Sequence, residues 1–252
     1  MSQTDAAGSV RTHLDRLLAE APSVQRAVSP EIAERVTAFA ALLLDANERL
    51  NLTRVTDPEA VARDHLLDAL AALPLLERIE PRSAIDLGSG GGVPAIPLAI
   101  ALPNVRWTLV ESTGRKAEAL RSFARALELE NVEVLADRAE VIGQAPRHRE
   151  EYEVVTARAL AALPVLAELA LPLLRIGGIL VAWKGPLTNA DDQVRQGKTA
   201  ARMLGGGEVV LRPTGMPALG GHTFALIPKE RPTAPRFPRR PGVPAKSPLG
   251  TR

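Results

Sequence analysis

Cysteine is absent from this chain of 252 residues. The absence excludes a disulfide framework and a zinc site with cysteine ligands, and it is typical of proteins in a reducing compartment. Aromatic residues are also scarce, at 3% of the chain, and Tyr152 is its single tyrosine. Because cysteine is absent, catalysis by a cysteine nucleophile is excluded as well.

Long uninterrupted apolar runs are absent too. The apolar region 154–183 is broken by Arg158, Glu168 and Arg175, which argues against a membrane span. The amino terminus is polar, includes Asp5 and lacks the apolar core of a signal peptide. We therefore expect a soluble, cytoplasmic protein without membrane association.

The chain is rich in apolar residues, and its charge is unevenly distributed. Hydrophobic residues make up 46% of the chain, enough for the core of one α/β domain with appended helices. The formal net charge is +2, but the tail 231–252 holds six basic residues, six prolines and no acid. Basic residues suit a polyanionic partner and prolines favour an extended chain. A disordered, solubilising terminus is the alternative.

The spacing of apolar residues divides the chain into three predicted regions. These are an N-terminal helical extension at 1–80, an α/β domain at 81–230 and the basic, proline-rich tail at 231–252. In the middle region strands alternate with helices, as a parallel sheet requires. We predict seven strands, at 84–87, 106–110, 132–136, 153–157, 179–184, 207–211 and 222–227.

Two helix starts are marked in the first region. Ser29 and Asp57 each precede a proline, the combination of an N-cap residue and a proline at the first helical position. The first of these helices is predicted to end near Glu48. The second carries His65 and Asp68 on one face. We interpret that pair as a structural hydrogen bond, and a role in the wall of the active site is the alternative.

A glycine-rich turn follows the first predicted strand. Gly88, Gly90 and Gly92 recur at every second residue, and Asp86 precedes them. Dinucleotide-binding turns require G-x-G-x-x-G, whereas Val93 stands where the third glycine would be. An acidic residue with alternating glycines suits a ligand with a cationic amino-acid end and no phosphate, which describes S-adenosylmethionine. The arrangement resembles motif I of the class I methyltransferases, which have a Rossmann-like seven-stranded α/β sheet.

Further candidates lie at the ends of the other predicted strands, where open α/β sheets bind their ligands. Glu111 ends the second strand, 19 residues beyond Gly92, and can accept hydrogen bonds from ribose hydroxyls. The loop 137–140 would lie under adenine. Arg158 can orient the methionine carboxylate or the target nucleotide, or pair with an acidic residue. Trp183 and Lys184 lie at the same rim, although a tryptophan in this position is more typical of the core.

Several short motifs occur in an order that resembles the glucose-inhibited division protein B family. The resemblance runs from about Asn51 to Leu249. It rests on Asn51-Leu52-Thr53, His65 to Leu70, Asp86 to Leu98, Glu111-Ser112 with Lys116, Ala139-Glu140, Ala157-Arg158-Ala159, Lys184-Gly185 and Arg239 to Lys246. One departure is Ala95, where the family usually has a second glycine after the proline.

The resemblance implies an S-adenosylmethionine-dependent methyltransferase that acts on N7 of a guanine in a loop of the decoding region of 16S ribosomal RNA. It implies that the cofactor contacts Gly88, Val93, Ala139, Glu140 and Arg158, with Glu111 on the ribose. The partner would be 16S rRNA, the small ribosomal subunit or its precursor. We expect no metal and a monomeric protein.

The residues present suit this chemistry. Guanine N7 has a free lone pair and no proton, so methylation there requires no general base, whereas pyrimidine C5 methylation uses a cysteine thiolate that this chain lacks. Arg158 and Lys184 are the predicted catalytic residues, because both can hold guanine O6 or a neighbouring phosphate. The predicted RNA contacts in the tail are Arg236, Arg239, Arg240 and Lys246.

Other function classes stay open from the sequence. The substrate could be another RNA or a protein. A non-catalytic RNA-binding or ribosome-assembly module would explain the basic tail but not the glycine turn. A nicotinamide-dependent oxidoreductase would need the missing third glycine and a proton-relay group, for which Tyr152 is poorly placed before a strand.

Overall fold

The computed structural model describes residues 3–251, and the side chains of residues 7–251. Its centre is a seven-stranded sheet in the order β3-β2-β1-β4-β5-β7-β6. The first five strands pair in parallel, and β7 runs antiparallel to both of its neighbours. The strands are β1 Ser83–Leu87, β2 Arg106–Val110, β3 Val132–Leu135, β4 Tyr152–Arg158, β5 Leu174–Lys184, β6 Val210–Pro213 and β7 Thr223–Pro228.

Helices cover both faces of this sheet. They are α1 Gln3–Ala19, α2 Pro22–Gln25, α3 Pro30–Leu50, α4 Pro58–Val61, α5 Asp68–Leu70, α6 Leu73–Ile79, α7 Ala95–Ala101, α8 Gly114–Ala126, α9 Ala139–Ile142, α10 Leu163–Ala170, α11 Asp192–Met203 and α12 Val243–Lys246. A π-helical stretch, Ala62–Leu67, joins α4 to α5. The predicted architecture, a Rossmann-like seven-stranded α/β sheet with an N-terminal helical extension, is confirmed.

Both predicted N-caps are present. Ser29 Oγ accepts a hydrogen bond of 3.2 Å from the amide of Ile32, and Asp57 Oδ2 accepts one of 3.0 Å from the amide of Ala60. Each satisfies a backbone donor that has no partner within the first helical turn. Helix α3 runs to Leu50 rather than ending near Glu48.

The helix predicted to follow Asp57 is not continuous. Its middle is the π-helical stretch, and the regular helical hydrogen-bond pattern is interrupted at residues 71–72 before α6 begins, although both residues keep right-handed helical φ and ψ. Pro74 explains the break, because a proline inside a helix removes one amide donor and its ring clashes with the carbonyl four residues earlier.

The sixth strand begins later than predicted, at Val210 instead of residue 207. Pro228 of β7 lies opposite residue 208 in the antiparallel register. Because proline has no N–H to donate, the regular ladder cannot extend through this position. Gly206 instead forms an isolated bridge with Lys229.

The core has two apolar layers, one on each face of the sheet. One layer joins the N-terminal helices, α7 and α8 to the sheet, and contains the edge-to-face pair of Phe39 and Phe123 with ring centroids 5.9 Å apart. The other joins α10 and α11 to the sheet and includes Phe237 of the tail. Neighbouring strand residues such as Ala84 and Ile85 point into opposite layers, as strand geometry requires.

The basic tail follows the surface of the body. It is without regular secondary structure to Gly242 and then forms the single turn α12, which departs from the predicted fully extended tail. Arg252, one of its six basic residues, lies outside the described residues. Within residues 3–251, every helix is too short or too polar to cross a membrane.

Substitution of Ser29 by alanine removes the cap from α3, and we expect the unfolding free energy to fall by about 1 kcal/mol. Urea denaturation measures the difference. Ser9→Ala, within α1, is the matched control and should change stability by less than about 0.5 kcal/mol. Equal losses in the two variants would contradict the capping role.

Candidate functional site

The strand order reverses between β1 and β4, and this opens a crevice at their carboxyl ends. From β1 the chain proceeds through β2 to β3 on one side, and β4 and β5 lie on the other. Ligands of open α/β sheets bind at such a point. The glycine turn after β1 and Arg158 at the end of β4 therefore face the same crevice.

The glycine turn needs residues without a side chain. Gly88 and Gly92 have φ angles of +70° and +92°, in the region that favours glycine. A Cβ on Gly88 would lie 2.6 Å from Leu160 Cδ1, and one on Gly92 would lie 2.7 Å from Ile96 Cδ1. The turn is thus fixed by conformation and by close packing at both ends.

Glu111 holds the turn from the neighbouring strand. Its carboxylate accepts hydrogen bonds from the amides of Gly90, at 3.0 Å, and Thr113, at 2.7 Å. Each carboxylate oxygen can accept more than one hydrogen bond. Glu111 therefore shapes the turn and still has acceptor capacity for the ribose hydroxyls that the sequence predicts.

Asp86 lies behind the turn. We expected a direct cofactor contact, but its side chain is buried and Oδ1 accepts a 2.6 Å hydrogen bond from Thr156 Oγ1 on β4. Burial raises the pKa of Asp86 to about 6, against the hydrogen bond from Thr156. The carboxyl therefore joins β1 to β4 behind the turn, and it does not line either cavity described below.

Two cavities meet at Gly88. One, of about 180 Å³, lies toward α3 and the π-helical stretch, and the other, of about 170 Å³, lies toward the tail. The first is lined by Leu43, Leu52, Thr53, His65, Gly88 to Gly91, Val93, Arg158 and Ala159. The second is lined by Gly88, Val110, Ser112, Asp137 to Glu140, Leu160, Ala161, Val165, Leu169, Pro244 and Ala245.

Residues of the N-terminal helical region hold Arg158 by hydrogen bonds. Its Nη1 donates to Asp68 Oδ2 at 2.9 Å and to the carbonyl of Asp64 at 2.5 Å. Its Nη2 lies 3.2 Å from Nδ1 of His65. Asp64 and His65 lie in the π-helical stretch, and Asp68 begins α5 directly after it. The guanidinium is consequently held in one orientation at the edge of the first cavity.

The contacts of His65 fix its tautomer. A guanidinium can only donate, so Nδ1 accepts from Arg158 and Nε2 carries the hydrogen, which it donates to Thr53 Oγ1 at 2.7 Å. Burial and the charge of Arg158 lower the pKa of His65. The predicted hydrogen bond between His65 and Asp68 is therefore wrong, because both side chains are engaged by Arg158 instead.

His222 completes the network and was missed by the sequence analysis. Its Nδ1 lies 2.9 Å from Asp68 Oδ1, so the buried carboxylate of Asp68 has a partner on each oxygen. The two residues are 154 positions apart, and no local pattern connects them. Trp183 also contacts this group, because its indole donates to the carbonyl of Asp68 at 2.8 Å. Trp183 is a core residue, packed edge-on against Phe224.

Lys184 holds the loop that follows β4. Its Nζ donates to the carbonyl of Ala161 at 2.6 Å, and burial lowers its pKa. In the same loop Ala159 has a φ of +53°, which is strained for a residue with a Cβ. Lys184 therefore fixes a strained segment beside the cleft without lining either cavity.

One of the four predicted RNA contacts has a different role. Arg239 donates through Nε, at 2.8 Å, and Nη2, at 2.5 Å, to the carboxylate of Glu168, which is fully buried. The Nε and Nη2 edge of its guanidinium is therefore occupied by Glu168. Arg236, Arg240 and Lys246 are exposed.

Comparison with known proteins decides the family. The GidB family model, described as rRNA small subunit methyltransferase G, matches residues 32–213. The chain belongs to the GidB family. The resemblance deduced from the motifs is thereby confirmed.

Named members of the GidB family align over most of their length. A ribosomal RNA small subunit methyltransferase G from Chloroflexus aggregans is 47% identical over 203 residues, which cover 81% of this chain and 84% of that protein. A protein of the same name from Deinococcus radiodurans is 43% identical over 217 residues, which cover 86% of this chain and 85% of that protein. Ala95, the departure from the GidB pattern, is fully buried at the start of α7, where a small residue fits.

Solved structures show the fold of the GidB chain independently. An O-methyltransferase from Bacillus cereus in complex with SAH superposes with a TM-score of 0.56 at 18% identity, covering 76% of this chain and 91% of that one. At this identity the likeness concerns the fold alone.

Asp86→Asn tests the buried carboxyl. Because its pKa is raised from 3.8 to about 6, the folded protein retains the proton over this range while the unfolded chain loses it. The stabilising contribution of Asp86 is complete below about pH 4 and is lost as the pH rises through about 6. At neutral pH we expect Asp86→Asn to increase the unfolding free energy by on the order of 1–3 kcal/mol.

Urea titrations between about pH 4 and pH 7 measure this dependence. Across that range, the unfolding free energy of Asp86→Asn should decrease less with rising pH than that of the parent protein. Asp137→Asn alters an exposed carboxylate near the same crevice and serves as the control. Parallel curves for the parent protein and Asp86→Asn would contradict the assignment.

Proposed function

We propose that this chain transfers a methyl group from S-adenosylmethionine to N7 of a guanine in 16S ribosomal RNA, in a loop of the decoding region. The observation that carries the proposal is the glycine turn of a GidB-family chain lying between two cavities, with Arg158 fixed at the edge of one. The names of the relatives support ribosomal RNA of the small subunit as the substrate.

The residues of the crevice fit the cofactor. Adenosylmethionine has no phosphate, and the turn presents backbone groups and small residues without a cluster of cations. Glu111 would hold the ribose, and the backbone of residues 139–140 would contact the adenine. Gly88, Gly90, Gly92 and Val93 would lie along the methionine portion, with Arg158 at its carboxylate. When bound, the cofactor supplies an electrophilic methyl group on sulfur.

The chain's own contribution to catalysis is alignment and control of charge. N7 of guanine is a nucleophile without deprotonation, so the site needs no general base. His65 fits this requirement, because its two nitrogens are occupied by Arg158 and Thr53. Arg158 would contact the substrate or the cofactor carboxylate directly, and Lys184 would position the loop that carries Ala159.

Recognition of the RNA is assigned to exposed basic residues of the tail. Arg236, Arg240 and Lys246 are exposed, and Lys246 lies on α12, whose Pro244 and Ala245 line the second cavity. Neutralising phosphates with such residues makes binding salt-dependent. The partner would be 16S rRNA, the small subunit or its precursor. A cytoplasmic monomer that needs no metal accords with this proposal.

Calorimetric titration with S-adenosylmethionine, with NADH as the control ligand, tests the proposal first. Transfer of tritiated methyl groups to unmodified small-subunit RNA and to assembled subunits follows, with the modified base identified after nuclease digestion. Label in N7-methylguanine supports the proposal. Binding of NADH alone would favour an oxidoreductase, and an absence of cofactor binding would favour a non-catalytic RNA-binding module.

Asp68→Asn should reduce methyl transfer roughly ten-fold, because loss of a charge-assisted hydrogen bond to Arg158 costs about 1–2 kcal/mol. Single-turnover assays measure the change. Arg158→Ala should abolish turnover or cofactor binding and leave the fold intact, as judged by circular dichroism.

Asp64→Asn is the matched control for Asp68→Asn. The side chain of Asp64 pairs with Arg63, at 2.7 Å, and only its backbone carbonyl accepts from Arg158. The methyl-transfer activity of Asp64→Asn should therefore stay near that of the parent protein. Near-normal activity in both Asp68→Asn and Arg158→Ala would overturn the role of this network.

A further inference from the structure

The C-terminal arm, defined as residues 231–251, is bound to the body by its backbone. Arg149 donates to the carbonyls of Phe237, at 2.7 Å, and Thr233, at 2.8 Å. Gln144 Nε2 donates to the carbonyl of Pro238 at 2.8 Å. A proline-rich segment offers many carbonyls and few amides, so side-chain donors of the body are well suited to hold it.

An ion pair anchors the middle of the arm. Glu168 on α10 is fully buried, and Arg239 gives it three donors, the backbone amide at 2.9 Å, Nε at 2.8 Å and Nη2 at 2.5 Å. A buried carboxylate requires such compensation. Because the backbone amide of Arg239 takes part, the pair fixes the path of the chain as well as one side chain.

Beyond this anchor the arm crosses the second cavity. The amide of Gly242 donates to Glu140 Oε1 at 2.9 Å, which ties the arm to the loop predicted to lie under adenine. Two residues later Pro244 is buried, and Pro244 and Ala245 form part of the cavity wall opposite Gly88. The arm thus completes a cavity that the sheet and its loops leave open on one side.

We propose that the C-terminal arm is a wall of the cofactor site and encloses the adenine of S-adenosylmethionine. This inference rests on the cofactor assigned under the proposed function. The side chains of Leu160, Val165 and Leu169 make much of the cavity apolar, and a flat purine ring suits an apolar slot with backbone polar groups at its edge. Pro244 and Ala245 close that slot, so the arm binds cofactor as well as RNA.

The two roles use different residues of the arm. The exposed cations Arg236, Arg240 and Lys246 serve RNA, while the small apolar residues Pro244 and Ala245 face the cavity. An arm that contacted RNA alone would not affect cofactor binding in the absence of RNA. Cofactor binding measured without RNA therefore isolates the proposed wall.

The test is calorimetric titration of the full-length protein with S-adenosylhomocysteine, without RNA. Ala245→Phe places a large side chain at the cavity wall and should weaken binding at least about ten-fold, equivalent to about 1.4 kcal/mol. Val243→Phe introduces the same side chain on the same helical turn, at a residue that is exposed as Ala245 is but does not line the cavity. It should bind as the parent protein does.

A second variant tests the anchor without altering the wall. Glu168→Gln removes the charge that holds Arg239 and should weaken binding of S-adenosylhomocysteine several-fold, with thermal unfolding confirming that the body stays folded. Parent-like affinity in both Ala245→Phe and Glu168→Gln overturns the role of the arm while the methyltransferase proposal stands. Failure of the parent protein itself to bind S-adenosylhomocysteine overturns both.

Discussion

The reversal of strand order between β1 and β4 is the constraint on which the site depends. β1 and β4 are paired neighbours, but the chain continues from them toward opposite edges of the sheet, so no connecting segment covers the space beyond their carboxyl ends. Gly88 and Arg158 enter this space from the two sides. The contacts of Glu111 with the turn, and of Thr156 with Asp86, hold the two strand ends in their relative positions.

The N-terminal helices are part of the site. They cover one face of the sheet with apolar side chains, and they also supply the acceptors that orient Arg158. A buried carboxylate such as Asp68 requires compensating partners, and Arg158 at the end of β4 and His222 just before β7 each contact one of its oxygens. The same contacts that satisfy Asp68 therefore fix a cation beside the crevice.

The opposite side of the crevice is closed by the C-terminal arm in a similar manner. Glu168 is buried, and the arm delivers its partner, Arg239. On both sides of the crevice, a buried carboxylate pairs with an arginine from a distant part of the chain. Polar contacts of this kind position segments accurately, because charge-assisted hydrogen bonds require specific distances and angles.

The features predicted correctly are those that local sequence determines. The caps at Ser29 and Asp57 act within one helical turn. The glycines after β1 are required by their own positive φ angles. The alternation of residues along a strand follows from the direction of its side chains. These signals, with the ordered motifs of the family, predicted the seven-stranded fold. The late start of β6 was not predicted, because it depends on Pro228 in a different strand.

The sequence by itself determined the fold class, the position of the glycine turn and the family. Only the tertiary structure decided that Asp86 is buried beside Thr156 of β4, that His65 and Asp68 meet at Arg158, and that Arg239 pairs with Glu168. The reason is physical. A charged side chain takes the partner that burial places within hydrogen-bond reach, and for these residues that partner lies on another element of the fold, far away along the chain.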